Sequence, residues 1–169
     1  MNKKSIPWVV SLSFLIVSGC SSMDEKNSGD LAPRNSGTMQ TQTEKKSSEL
    51  LDIMDLQGKV TEPGAIVAPC SDYPSEDGVI RAPHPWSLYD VPVERMREGM
   101  DRLREKLPKS GWRITKDGTD SSRSKSPQII ADSTDGKYSA DIRFWEEPES
   151  SDEESMIVVT VVSSCFRSR

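Results

Sequence analysis

The chain has 169 residues, which is enough for one modest domain and too few for two. Apolar residues make up 34% and charged residues 29%, so most side chains must face water. The net charge of −5 disfavours a nucleic-acid partner, since nucleic acids are themselves polyanions. One histidine and three cysteines, with no CxxC pair, exclude the common zinc and thioredoxin-type sites, and we expect neither a metal nor a cofactor.

The first 20 residues have the order of a bacterial export signal that ends at a cysteine. Lys3 and Lys4 form a positively charged start, and the segment from Ile6 to Val17 is uncharged and mostly apolar. This segment is shorter than the about 20 apolar residues that a transmembrane helix needs. The residues at its end, Val17-Ser18-Gly19-Cys20, resemble the lipobox of bacterial lipoprotein precursors.

This resemblance implies that residues 1–19 are a signal peptide and that Cys20 receives a diacylglyceryl group. The alternative is an ordinary secretory signal in which Cys20 is incidental. Two acyl chains hold a protein durably at a bilayer, whereas one chain holds it only marginally. We therefore expect the chain to be anchored by lipid at the extracytoplasmic face of the cell membrane. Without its signal peptide the chain keeps 20 basic and 27 acidic residues, so we expect the lipid, and not a charged face, to hold it.

Residues 20–43 are polar, rich in Ser, Thr and Asn, and without apolar periodicity, which predicts a flexible tether after the lipidated cysteine. Such a tether reaches at most about 80 Å. Residues 44–169 are then predicted to form a single domain. It begins with a short amphipathic helix that starts around Ser47 or Ser48 and ends at Gly58.

The main helix is predicted after an extended segment, residues 79–89, whose Pro83 and Pro85 favour an edge strand. Pro92 lies in its first turn, with Asp90 or Val91 as the N-cap, and Pro108 with Gly111 ends it. The apolar residues of this helix fall on one stripe: Val93, Met96, Met100, Leu103 and Leu107.

Five further segments are predicted to be strands: residues 65–71, 112–115, 128–132, 137–145 and 156–166. In the segment 137–145, apolar and polar residues alternate, which places Ile142 and Phe144 on one face and Trp145 on the other. This order predicts an α+β two-layer sandwich. We expect an antiparallel sheet of about four or five strands, with one main helix across one face and the short N-terminal helix beside it.

Cys70 and Cys165 remain once Cys20 is assigned to the lipid. Outside the cytoplasm an even pair of cysteines most simply forms a disulfide, and the alternative is two free thiols. A cross-link across 95 residues stabilises a protein by about 4–5 kcal/mol in the chain-entropy model. That is a large share of the about 5–15 kcal/mol that a domain has in total.

No residue pattern points to catalysis, so we expect a binding protein rather than an enzyme. His84 is the only histidine for a Ser-His-acid triad, and the chain contains no GxSxG motif. With Trp86 and Tyr89 it forms a cluster beside two prolines that could bind sugars or peptides, or could instead close one end of the sandwich. Trp145 is a further candidate for a surface contact.

The acidic segment 146–154 carries six acidic residues in nine positions, between two predicted strands. It is either a solvated hairpin loop or a surface for a cation or a basic partner.

The order of lipobox, polar tether, early cysteine, helix and a late Cys165-Phe166 is similar to small actinobacterial lipoproteins of the LppA-like group. The resemblance implies no catalytic residues. We expect an envelope lipoprotein whose domain binds a cell-wall polymer or an envelope protein. The alternatives are an inhibitor or immunity lipoprotein that binds a secreted enzyme, and a small envelope hydrolase.

Overall fold

A computed structural model describes residues 31–61 and 63–169, which form an α+β domain as predicted. The predicted signal peptide, Cys20 and the predicted tether up to residue 30 lie outside the described residues. The helices and strands are α1 (Ser36–Met54), α2 (Val93–Lys106), β1 (Pro33–Arg34), β2 (Lys59–Val60), β3 (Ala68–Pro69), β4 (Val79–Arg81), β5 (Pro83–Tyr89), β6 (Trp112–Thr119), β7 (Pro127–Ser133), β8 (Tyr138–Trp145), β9 (Met156–Ser163) and β10 (Phe166–Ser168).

The main sheet has six strands in the order β2-β5-β9-β8-β7-β6, all antiparallel, rather than the predicted four or five. The two-residue β2 pairs only with the end of β5, at Leu88 and Tyr89. The N–H group of Ser87 in β5 points towards this outer edge and donates a hydrogen bond to the Thr61 hydroxyl. Backbone N–H groups alternate in direction along a strand, so the nitrogens of Pro83 and Pro85 also face this outer edge. The lack of an N–H group on these prolines therefore costs no hydrogen bond to β9.

A second sheet, which the sequence analysis did not predict, contains four short strands in the order β1-β10-β4-β3. Its strands have two or three residues, too few to show a periodic pattern. β4 runs almost directly into β5, and β10 follows β9 closely, so the second sheet extends the main one. Met39 of α1, Ala82 and Phe166 form a small buried cluster against it.

The first helix begins earlier than predicted, so the predicted tether is too long and the predicted N-terminal helix is too short. α1 begins at Ser36 and ends at Met54, so residues 36–43 are helical rather than part of a tether. Asn35 caps this helix, since its side chain accepts a hydrogen bond from the Thr38 N–H at 2.9 Å. Its buried residues recur every three or four positions and include polar side chains: Met39, Thr43, Ser47, Leu50 and Met54.

The second helix follows the predicted apolar stripe, and a turn of 3-10 helix over Leu107–Lys109 extends it. Pro92 itself is the N-cap residue, without a side-chain cap. Both helices cover the same face of the main sheet and contact each other, where Arg102 Nε donates to the Met54 carbonyl at 2.5 Å. The main core between helices and sheet includes Trp112, Ile129, Ile142, Phe144, Ile157, Val159 and Val161.

The predicted cysteine pair lies at disulfide distance. Cys70 and Cys165 are joined, with a Cα–Cα separation of 6.0 Å, within the usual range for disulfides. The bond connects the segment after β3 to the segment between β9 and β10. It therefore fastens the second sheet to the end of the main one.

Within the described ranges, neither helix combines the length and the apolar character needed to cross a membrane.

Candidate functional site

The four residues predicted as a binding surface fall into two pairs on opposite faces of the main sheet. His84 and Trp86 pair with Val161 and Val159 of β9 and share the helix-covered face with them. Tyr89 and Trp145 lie on the other face, on the strands that flank β9. The sequence analysis placed Trp145 correctly, but it did not separate Tyr89 from His84.

A cavity of about 450 Å³ opens between α1, β5 and the segment that follows β2. We call it the α1 groove. α1 contributes one wall, and β5 contributes the opposite wall through His84 and Trp86. The residues that line it are Glu44, Ser47, Ser48, Leu51, Val60, Thr61, Gly64, His84 and Trp86.

Trp86 is buried, which favours the packing alternative for this residue over an exposed aromatic platform. Only 5% of its surface is accessible, because α1 packs over this part of β5. Its indole Nε1 donates a hydrogen bond to the Ser47 hydroxyl at 2.5 Å. A buried indole needs such an acceptor, which explains why a polar residue occupies the buried stripe of α1. Trp86 thus contributes one apolar edge to the α1 groove and packs mainly in the core.

His84 is half-buried in the wall of the α1 groove. Its Nδ1 atom is shielded from solvent and has no hydrogen-bond partner within residues 31–61 and 63–169. Burial lowers the pKa of His84 below 6.5, and the negative charge of Glu44 offsets this only in part. The imidazole is therefore neutral at neutral pH. Its shielded Nδ1 atom remains without a hydrogen bond in this wall of the groove.

Glu44 fixes the opposite wall of the groove. Its Oε1 accepts a hydrogen bond from the Ala65 N–H at 2.8 Å, and Gln40 Nε2 donates to the Ala65 carbonyl at 2.5 Å. The segment around Ala65 is thereby held against α1. The sequence analysis missed Glu44 and Ser47 as site residues because it placed them at the boundary between tether and domain.

The groove offers binding groups rather than an activated nucleophile. The Ser47 hydroxyl accepts from Trp86, the Ser48 hydroxyl donates to the Glu44 carbonyl at 3.0 Å, and Thr61 accepts from Ser87. What remains for a ligand is one carboxylate, one neutral imidazole and an apolar surface.

The uncovered face of the main sheet combines a polar network with apolar positions. Across β6, β7 and β8, Lys116 donates to Gln128, Gln128 to Asp141, and Arg143 to both oxygens of Asp141. Burial raises the pKa of Asp141, but the hydrogen bonds from Arg143 and Gln128 bring it below its ordinary value. Beside this network Trp145 is 42% exposed.

Two further features are the surroundings of the cysteine pair and the acidic segment. Asp72 lies close to Cys70 and Cys165 in a geometry that could hold a metal, but the disulfide uses both sulfur atoms. The acidic segment 146–154 is a loop between β8 and β9, in which Glu146 forms an ion pair with Arg97 of α2. The loop is thus partly fastened to the helix layer.

No protein-family model, curated protein or solved structure matches this chain.

Proposed function

We propose that this protein is a lipid-anchored protein of the bacterial cell envelope and that its domain binds a ligand in the α1 groove. The lipobox-like sequence before Cys20 supports the anchor, and the groove supports the binding role. The observation that carries the binding proposal is the buried, unpartnered Nδ1 of His84 opposite the Glu44 carboxylate. Buried polar atoms normally have a partner, and a ligand that binds in the groove would supply one.

The groove fits a small ligand with hydroxyl groups and one apolar face, such as a sugar unit of a wall polymer. Its volume of about 450 Å³ falls within the range of small-molecule sites. Leu51, Val60 and the edge of Trp86 provide apolar contact. Glu44 accepts hydrogen bonds from ligand hydroxyls, and His84 donates or accepts one depending on its tautomer.

Binding is favoured over hydrolysis by the inventory of acidic groups. Glycoside hydrolysis generally needs two carboxyl groups on either side of the bond that is cleaved. Among the described residues that line the groove, Glu44 is the one acidic residue. Its Oε1 is already engaged by Ala65.

The binding proposal is tested by titrating the chain from residue 20, with Cys20→Ser, with soluble peptidoglycan fragments in isothermal calorimetry. We expect Glu44→Gln to weaken binding about tenfold through the loss of a charge-assisted hydrogen bond, and His84→Gln to weaken it about fivefold through the loss of a neutral one. Glu105→Gln is the matched control, since it removes an exposed carboxylate of α2. Equal affinity for all four proteins would contradict a ligand site in the groove.

The anchor is tested separately in a bacterial host that processes lipoproteins. We expect mass spectrometry to find diacylglyceryl on an N-terminal Cys20, and Cys20→Ser to release the protein from the membrane fraction. Recovery of an unmodified Cys20 in the soluble fraction would exclude lipidation.

A second candidate function, inhibition of a secreted enzyme, is favoured by the uncovered sheet face. Trp145 is one of three strongly exposed large apolar side chains among the described residues, and Met156 pairs with it on β9. Aromatic and Met side chains are enriched in protein interfaces. Pull-down from envelope extracts with wild type and Trp145→Ala tests this: stoichiometric capture of one enzyme, lost in the variant, would favour inhibition.

A further inference from the structure

Charge is separated along the strands of the main sheet. The acidic loop 146–154 joins β8 and β9 at one end. At the other end, Lys137 directly precedes β8, and β9 leads to β10, which contains Arg167 and is followed by Arg169. With a rise of about 3.3 Å per residue, the eight residues of β8 separate the two ends by about 23 Å. The net charge of −5 is a sum over the whole chain and therefore does not give the local charge at either end of the domain.

The cationic end contains a cavity of about 480 Å³, which we call the basic pocket. Three positively charged side chains line it, and no acidic residue does. Its lining residues are Pro33, Arg34, Asn35, Thr38, Met39, Gln42, Lys137 and Arg169.

Two of these cations have no side-chain ion-pair partner among the described residues. Lys137 forms an ion pair with Asp135 at 3.1 Å, but Arg34 and Arg169 form no ion pair with any described residue. The arginines of α2 differ in this respect: Arg95, Arg97, Arg102 and Arg104 each pair with an acidic residue. The basic pocket thus keeps charge available for an external anion.

The position of the pocket in the chain places it near the lipid. Arg34 lies in β1, close to the first described residue, and only 14 positions separate it from Cys20. β1 pairs in parallel with β10, which holds this first strand against the C-terminal strand. The segment that follows a lipidated Cys20 would therefore join the domain at the end that carries the basic pocket.

We propose that the basic pocket docks onto the phosphate groups of anionic membrane lipids and orients the anchored domain. This proposal rests on the lipid anchor proposed above. The Debye length is about 8 Å at physiological ionic strength, so the acidic loop, about 23 Å away, is screened from the surface that the pocket contacts. The sequence analysis expected an acidic body that an anionic membrane repels. The charge separation reverses that expectation for one end of the domain.

Lys137 offers a direct readout of this orientation. The chain from Cys20 is coupled through the Cys20 thiol to a maleimide lipid, while Cys70 and Cys165 remain in their disulfide. The vesicles contain phosphatidylcholine alone or phosphatidylcholine with phosphatidylglycerol. Acylation of Lys137 by a soluble N-hydroxysuccinimide ester is then quantified by mass spectrometry. Lys125, in the turn between β6 and β7 at the opposite end of the strands, is the internal reference.

We expect the acylation of Lys137, relative to Lys125, to fall at least about fivefold on the anionic vesicles, and high salt to restore it. Arg34→Gln with Arg169→Gln should also restore it. The matched control, Arg95→Gln with Arg123→Gln, removes the same charge elsewhere and should leave the protection intact.

Equal acylation of Lys137 on both kinds of vesicle would overturn the proposal, as would protection that the control pair abolishes equally. Protection on neutral vesicles when soluble polyphosphate is added, without an effect of phosphatidylglycerol, would assign the pocket to a soluble polyanion and also overturn it. The chemical coupling supplies the anchor in every case. A failure here is therefore distinct from a failure of cellular lipidation or of ligand binding in the α1 groove.

Discussion

Removal of the Cys70–Cys165 cross-link should lower the free energy of unfolding by an amount that depends on the number of residues in the closed loop. The bond closes a loop of 95 residues, for which the chain-entropy model gives about 4.7 kcal/mol. A domain of this size has an unfolding entropy of about 2.1 cal/mol/K per residue, or about 0.29 kcal/mol/K in total. The midpoint of thermal unfolding should therefore fall by about 16 °C.

The assay is thermal unfolding followed by circular dichroism in non-reducing buffer. Cys70→Ala with Cys165→Ala is compared with the parent chain, both carrying Cys20→Ser so that no free thiol remains. Alanine is preferred to serine because Cys70 is only 3% exposed and a hydroxyl would be buried there. Reduction of the parent with a phosphine should reproduce the effect. A fall of less than about 5 °C in both experiments would refute the loop-closure reasoning.

Three other predictions follow from packing and protonation. Gly58→Ala should destabilise the domain by about 1–3 kcal/mol in urea unfolding, because the new Cβ would lie 2.6 Å from the backbone carbonyl oxygen of Tyr89; Gly118→Ala, with nothing within 4 Å, should be nearly neutral. A chain that begins at residue 44 should lose at least about 2 kcal/mol relative to one that begins at residue 31, since it lacks β1 and the buried Met39; equal stability would mean that residues 31–43 do not belong to the domain. The pKa of His84 is lowered by burial, so its contribution to stability is present above pH 6.5 and is lost as the pH falls through the folded-state value. His84→Gln should therefore flatten the decline in unfolding free energy below pH 6.5, and an unchanged slope would argue against a buried imidazole.

The sequence predicted those elements whose burial follows a single apolar period. β8 alternates strictly, so the structure places Ile142 and Phe144 towards the helices and Trp145 towards solvent, as expected. α2 follows its stripe for the same reason. The disulfide followed from the number of cysteines rather than from local structure.

α1 was predicted too short because its buried stripe is partly polar. Thr43 and Ser47 are almost completely buried, and a polar residue at these positions looks like part of a linker. Hydrogen bonds make the burial possible: within α1, Thr43 donates to the Met39 carbonyl at 2.8 Å, and across to β5, Ser47 accepts from Trp86. A local signal for the start of α1 was Asn35, an N-cap residue whose side chain accepts a hydrogen bond from the Thr38 N–H. No run of apolar residues follows it in the sequence.

The α1 groove was missed for the same reason, since one of its walls is that helix. Glu44 and Ser47 acquire their roles only when α1 lies across β5. The sequence analysis named His84 and Trp86 and left open whether they form an exposed platform or close one end of the sandwich. Their pairing with Val161 and Val159 places them under the helix layer.

The short sequence distance between Cys20 and the described domain also limits how far that domain can lie from a bilayer. If Cys20 carries the lipid, only the 11 residues up to Leu31 separate the anchor from the domain. Fully extended, they span at most about 40 Å, half of what the sequence suggested. The α1 groove would then sample only the layer of the envelope next to the membrane. Ligands embedded in more distant wall layers would have to be released, or to diffuse inwards, before this protein could bind them.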